Sequence, residues 1–254
     1  MRRTTRPGRP RRHTLSAVVL LLAATTSSVA AADDGTGPLG VTAEAPGGLP
    51  GARVGALFGG SGDLVGGHFC TASVVHSAGR NLIVTAAHCL DGGGAFRFVP
   101  GYRDGRAPYG VWRVARTYVS EAWRRDRDED GDLAFAVVDD LAAGPALEDV
   151  VGGNSLATGQ ATGATAVTVT GYPRSREVPI TCTNRPTAHS ATQQRIACPA
   201  FTGGTSGSPW VNGDGQVVGV IGGHEEGGDT ADVSYSAVLG EEAAALHRRA
   251  TAEE

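Results

Sequence analysis

Residues 81–89 read NLIVTAAHC. An apolar run follows a turn-forming asparagine and gives way to small alanines, a histidine and a cysteine. The run is too short for a stable helix and rich in β-branched residues, so it reads as a buried strand that ends at His88 and Cys89. Similar runs recur outward in both directions. RVGALF (53–58), FCTASVV (69–75), FRFV (96–99), VWRVARTYV (111–119), LAFAVV (133–138), AVTVTGY (166–172) and QVVGVIGG (216–223) all read as strands. In AVTVTGY, Val167 and Val169 alternate with Thr168 and Thr170. Gly, Pro, Asp and Asn fill the gaps, and 38 glycines in 254 residues supply many turns. Only GEEAAALHRRA near the C-terminus reads as a helix, with glutamates at its start and arginines at its end, as the helix dipole prefers. The expectation is an all-β sandwich or barrel pair closed by a C-terminal helix.

The N-terminus reads differently. MRRTTRPGRPRRH holds six arginines, LSAVVLLLAA follows as an apolar run, and TTSSVA ends in small residues with Ser28 and Ala30 spaced for cleavage. This is the layout of a secretory signal peptide over residues 1–30. A membrane anchor would need about 20 apolar residues, and polar residues intrude after about ten. Without the leader, the formal net charge of −4 loses six positive charges and becomes −10. An acidic exported protein is a poor ligand for nucleic acid or an anionic membrane. The absence of lysine among its 22 basic residues reflects coding bias rather than phosphate recognition. Residues 31–51, Gly/Pro/Ala-rich and unpatterned, read as a linker or short pro-segment. Residues 52–248 read as the folded domain and 249–254 as a tail.

Four cysteines in an exported chain, Cys70, Cys89, Cys182 and Cys198, argue for two disulfides, and three pairings are open. No C-x₂-C spacing supports a zinc site, so no metal or other cofactor is expected.

Three short stretches carry chemistry. His88 ends the apolar strand NLIVTAAH. Asp132, in DGDLAFAVV (130–138), enters an apolar run, where an unpaired carboxylate is costly. FTGGTSGSPW (201–210) offers a serine in a glycine-rich turn. Each has a plain structural explanation when taken alone. Together they supply a weak nucleophile, a base of suitable pKa and a carboxylate to orient that base. Glycines beside the serine let backbone N–H groups be aimed at a developing oxyanion.

TAAHC, GDLAF and GGTSGSP resemble the histidine, aspartate and serine boxes of the trypsin-like serine proteases, in that family's chain order. The TSGSP form is similar to exported bacterial members, including the glutamyl-endopeptidase-like ones. The resemblance spans about residues 52–248. It implies two six-stranded antiparallel β-barrels with the active site in the cleft between them. His88 is then general base and acid, Asp132 orients it, and Ser206 attacks the carbonyl. The N–H groups of Gly204 and Ser206 form the oxyanion hole. The resemblance also implies a Cys70–Cys89 bridge, which leaves Cys182 with Cys198. Substrates are proteins or peptides, and the protein is a secreted monomer.

Ser208 competes with Ser206, and Asp128 and Asp130 with Asp132; the latter pair sit in the acidic run DRDED, read as a solvated loop in preference to a calcium loop. His68 and His76 read as strand-edge or turn residues. Thr205 stands where the digestive enzymes carry an aspartate that pairs with a new N-terminus. The specificity pocket is expected around Ala200, Val220, Ile221, Gly222 and Gly223, without an acid to attract arginine or lysine. A glutamate-binding histidine would fall at Ile221 by spacing, with His224 three residues later. A catalytically silent, peptide-binding relative would be expected to lack a triad residue, and none is missing. An α/β-hydrolase would need glycine at 208 and the opposite chain order.

Overall fold

The computed structural model describes residues 38–140 and 144–253, together with Met1. The leader expected over residues 1–30 lies, Met1 apart, outside the described residues. Strand β1 (Val41–Glu44) is followed by six strands, β2 (Val54–Gly59), β3 (His68–Val75), β4 (Leu82–Thr85), β5 (Phe96–Pro100), β6 (Trp112–Val119) and β7 (Ala134–Asp140). These six close into a barrel in the order β2-β3-β4-β7-β6-β5.

The continuous apolar character of β4 and β7 has a direct cause. Ile83, Ala134, Ala136 and Val138 fill the barrel interior with Leu57, Val74 and Phe98. Their alternate neighbours Leu82, Val84, Phe135 and Val137 face outward, yet they too are buried. They pack against Val217, Val220, Leu239 and the C-terminal helix through Leu246 and Ala250. A strand covered on both faces has no polar side to show.

The second half holds β8 (Ser155–Leu156), β9 (Val167–Gly171), β10 (Ile180–Asn184), β11 (Thr187–Ala188), β12 (Gln193–Ala197), β13 (Pro209–Asn212), β14 (Gln216–Val220) and β15 (Val233–Ala237). One sheet runs β1-β10-β9-β13-β14-β8 and a smaller one β11-β12-β15. Both enclose a core of Val167, Val169, Ile180, Ile196, Phe201 and Trp210. Side chains from β12 and β15 stitch the smaller sheet to β14. Gln194 Nε2 donates to the Val218 carbonyl at 3.0 Å, and Ser236 Oγ accepts from the Val220 N–H at 2.9 Å. Gly219 leaves room for this seam, since a Cβ there would lie 2.9 Å from Gln194 Nε2 and 3.0 Å from Ser236 Oγ. On β9 the expected alternation holds. Val167 and Val169 are buried, and Thr168 and Thr170 bond across the sheet to Thr183 and Thr181 at 2.8 and 3.0 Å.

Disulfides join Cys70 to Cys89 and Cys182 to Cys198. The first clamps β3 to the turn that carries His88, and the second ties β10 to the end of β12. Loops of this size stabilise by about 3 kcal/mol in the chain-entropy account.

Two boundaries differ from the sequence reading. Residues 41–44, unpatterned and expected in a linker, form an edge strand in register with β10, Val41 opposite Thr183 and Glu44 opposite Ile180. Backbone pairing, not side-chain pattern, orders them. At the other end the helix runs Glu241–Ala252, and Ala250 is fully buried, so the expected tail begins inside a packed element. No helix among the described residues is long and apolar enough to cross a membrane.

Candidate active site

Strand β4 runs into a single 3₁₀ turn, Ala87–Leu90, which carries His88. Ala86 and Ala87 are fully buried, so the turn is packed from below. Asp132 stands just ahead of β7, and its side chain is wholly enclosed. Three donors converge on its carboxylate. Oδ2 accepts from His88 Nδ1 at 2.8 Å and from the Gly223 N–H at 2.8 Å, while Oδ1 accepts from the His88 N–H at 3.0 Å. A carboxylate can only accept, so the neutral ring carries its proton on Nδ1 and keeps the Nε2 lone pair free. Gly222 permits this approach, because a Cβ there would sit 2.7 Å from Asp132 Oδ2 and 3.1 Å from the Ala86 methyl.

Burial of the His88 ring works against its protonation. The hydrogen bond and charge of Asp132, with the charges of Glu226 and Asp91, outweigh it and raise the pKa above the ordinary value.

The stretch 202–208 is a chain of tight turns. Thr205 donates from its N–H and its hydroxyl to the Thr202 carbonyl, at 3.1 and 2.8 Å, and is buried. In place of an ion pair, Thr205 closes the loop locally. The Gly207 N–H and the Ser208 carbonyl bond to Ile221, at 2.7 and 2.9 Å. Gly204 has φ 101°, and a Cβ there would lie 2.6 Å from both Arg174 N and the Tyr172 carbonyl. Gly207, at φ 85°, leaves no room between the Thr71 carbonyl and Thr85 Oγ1. Segment 221–223 therefore brackets the site: Ile221 holds the serine loop and Gly223 holds Asp132.

Ser206 is half-buried, whereas Ser208 is fully enclosed against Gly171. Among the described residues, Ser206 Oγ, His88 Nε2 and the N–H groups of Gly204 and Ser206 have no hydrogen-bond partner. The two N–H donors are the kind of group an oxyanion would satisfy.

The remaining candidates take supporting places. Asp128 caps the turn at Glu129–Gly131 by accepting from the Asp130 N–H at 3.0 Å. Asp130 accepts from Gln193 Nε2 at 2.7 Å, and Glu129 from the Glu225 N–H at 2.9 Å. The acidic run thus braces the loop after β14, a role that its composition did not signal. His68 is buried with Nε2 against the Pro173 carbonyl, and His76 pairs with Glu148. Cys70, His88 and Cys89 lie together like a ligand set, but both sulfurs are spent in the disulfide.

A cavity of about 350 Å³ opens beside Ser206. Of the expected pocket residues, only Ile221 lines it; Ala200, Val220, Gly222 and Gly223 are absent from its walls. Phe201, Thr202 and Gly203 form one side, and the loop 225–231 forms the other, bringing Glu225, Glu226 and Asp229. Among the described residues none of these three carboxylates has a salt-bridge partner. Spacing alone missed this wall, because the chain leaves β-geometry after Gly223: Glu225 and Glu226 both adopt left-handed conformations, φ 50° and 52°. His224 points instead to Glu129, lies tilted against His189 and meets Tyr235 edge-on.

Residues 70–220 match the trypsin-like peptidase domain family. No curated protein matches the chain. The protease Anisep from Arthrobacter nicotinovorans is similar over 84% of this chain and 100% of its own, with TM-score 0.71 and 29% identity. A thermostable serine protease, AL20, from an extremophilic microorganism is similar over 82% of this chain and 100% of its own, with TM-score 0.70 and 26% identity. A Glu endopeptidase shares the fold at 19% identity and TM-score 0.66, over 85% of this chain and 98% of its own. With a match across more than half its length, this chain belongs to the trypsin-like peptidase family.

Proposed function

We propose that the protein is a secreted serine endopeptidase that works through Ser206, His88 and Asp132. The observation that carries this reading is the buried Asp132 carboxylate bonded to His88 Nδ1, which leaves Nε2 as a proton acceptor. Ser206 Oγ attacks the scissile carbonyl while its proton passes to His88 Nε2, and the tetrahedral oxyanion is held by the N–H groups of Gly204 and Ser206. The imidazolium then protonates the leaving amine, and water repeats the sequence on the acyl-enzyme. Asp132 stays ionised and stabilises the charged ring. Export is supported by the leader in the sequence and by two disulfides.

The expected neutral pocket is revised by its walls. Three carboxylates at the cavity beside Ser206 repel an acidic P1 side chain and accept a neutral or cationic one. Paired peptide substrates that differ only as Gln or Glu at P1 should differ by at least about tenfold in kcat/KM in favour of Gln; equal or reversed rates would refute the assignment of the pocket.

Ser206→Ala should lower kcat by several orders of magnitude while KM changes little, leaving only the residual contribution of the oxyanion hole and binding. Retention of most activity by the folded variant rules out Ser206 as nucleophile.

The working form of His88 is neutral, and its pKa is raised, so kcat/KM should climb with pH and reach half its plateau above about pH 6.5. Glu226→Gln removes a charge that favours the imidazolium, so the rising limb should move to lower pH. A flat profile from roughly pH 5 to 9, or a limb that moves upward, contradicts His88 as the base.

A further inference from the structure

The serine loop is rich in glycine and lacks the ion pair that an aspartate at position 205 would provide, so something else must hold its peptide groups in one orientation. Gly203 and Gly204 have no side chains to anchor them, and glycine samples several backbone conformations at little cost. The structure fixes the loop through its carbonyls. Arg174 N–H donates to the Gly203 carbonyl at 2.7 Å, and Ser208 N–H donates to that of Thr205 at 3.0 Å. The two carbonyls between and beyond, those of Gly204 and Ser206, are both held by one residue, Thr71 on β3. Its hydroxyl donates to the Gly204 carbonyl at 3.0 Å and its N–H donates to the Ser206 carbonyl at 2.8 Å.

The direction of the hydroxyl bond is not free. The Tyr172 N–H can only donate, and it donates to Thr71 Oγ1 at 3.0 Å. The single Thr71 hydroxyl proton is thereby aimed at the Gly204 carbonyl. Thr71 is itself fully buried, and its carbonyl accepts from Thr85 Oγ1 at 2.7 Å. The segment 172–174 is fixed a second time from the same strand, since His68 Nε2 lies 3.1 Å from the Pro173 carbonyl. That segment forms the wall against which Gly204 packs without a Cβ.

We propose that Thr71 is the positioning residue of the oxyanion hole: its hydroxyl orients the Gly204–Thr205 peptide that lies between the two donor N–H groups. The inference rests on the reading of Gly204 and Ser206 as oxyanion donors. Thr71 touches neither substrate nor reacting atoms; it acts by keeping both N–H groups pointed at one place. Thr71→Val keeps the shape and the backbone bonds but strands the Tyr172 N–H and the Gly204 carbonyl in a buried setting, where the loop gains by turning the Gly204 peptide toward another donor.

The test uses the full secreted protein. Thr71→Val should lower kcat by about a hundredfold, the scale set by loss of one oxyanion donor, with KM nearly unchanged. It should weaken a peptide boronic acid, which mimics the tetrahedral intermediate, by a similar factor, and leave the His88 pH limb in place. Thr71→Ser restores the hydroxyl and should recover most of kcat. Unchanged kcat in Thr71→Val, a loss that Thr71→Ser does not recover, or a loss shared equally between kcat and KM overturns the proposal. If Thr71→Val does not fold, the same readouts on Thr71→Ala decide between the same outcomes. Full activity in Ser206→Ala would instead remove the site reading itself, and the proposal with it.

Discussion

One buried carboxylate organises this molecule. Asp132 has no solvent exposure, and a bare charge in that position would be prohibitively costly. Its three donors come from three directions: the backbone and ring of His88 at the end of β4, and the Gly223 N–H after β14. The two halves of the chain are therefore joined at this carboxylate. Removal of any one donor leaves the charge under-satisfied, and removal of the carboxylate leaves buried donors unpaired, so the arrangement persists only as a whole.

The same economy governs the serine loop. Gly204, Gly207 and Gly222 sit where backbone or a carboxylate approaches too closely for any Cβ, at the Tyr172 carbonyl, the Thr71 carbonyl and Asp132 respectively. Only glycine allows the serine turn to nest between β3 and segment 172–174 while it presents two unpaired N–H groups. The rigid strands around it supply what the glycines cannot. β3 contributes His68 and Thr71, and β4 contributes Thr85 and the turn of His88. Loops carry the candidate groups, and the strands around them fix where they stand.

What the sequence made legible was what side-chain pattern encodes. Leu82–Val84 and Ala134–Val138 announced buried strands through unbroken apolarity, and Val167/Val169 announced a half-buried one through alternation. Of the three boxes, the fold brings His88 and Asp132 into hydrogen-bond contact, and it encloses Ser208 against Gly171 while Ser206 stays half-buried. Features that depend on backbone alone left no trace. Strand β1 is ordered by pairing with β10, and the cavity wall at 225–231 is set by left-handed turns at two glutamates, a conformation that residue type does not announce. Thr71 was hidden for another reason: next to Cys70 it looked like an ordinary strand threonine, and only the fold brings it to Gly204, 133 residues away in sequence.

The central claim is that Ser206 and His88 form one working unit. The most direct measurement is covalent labelling of the folded protein with a fluorophosphonate, with the modified residue located by mass spectrometry. The account predicts a label on Ser206 that is lost in His88→Ala. A label on Ser208, or no label on the folded protein, would contradict it.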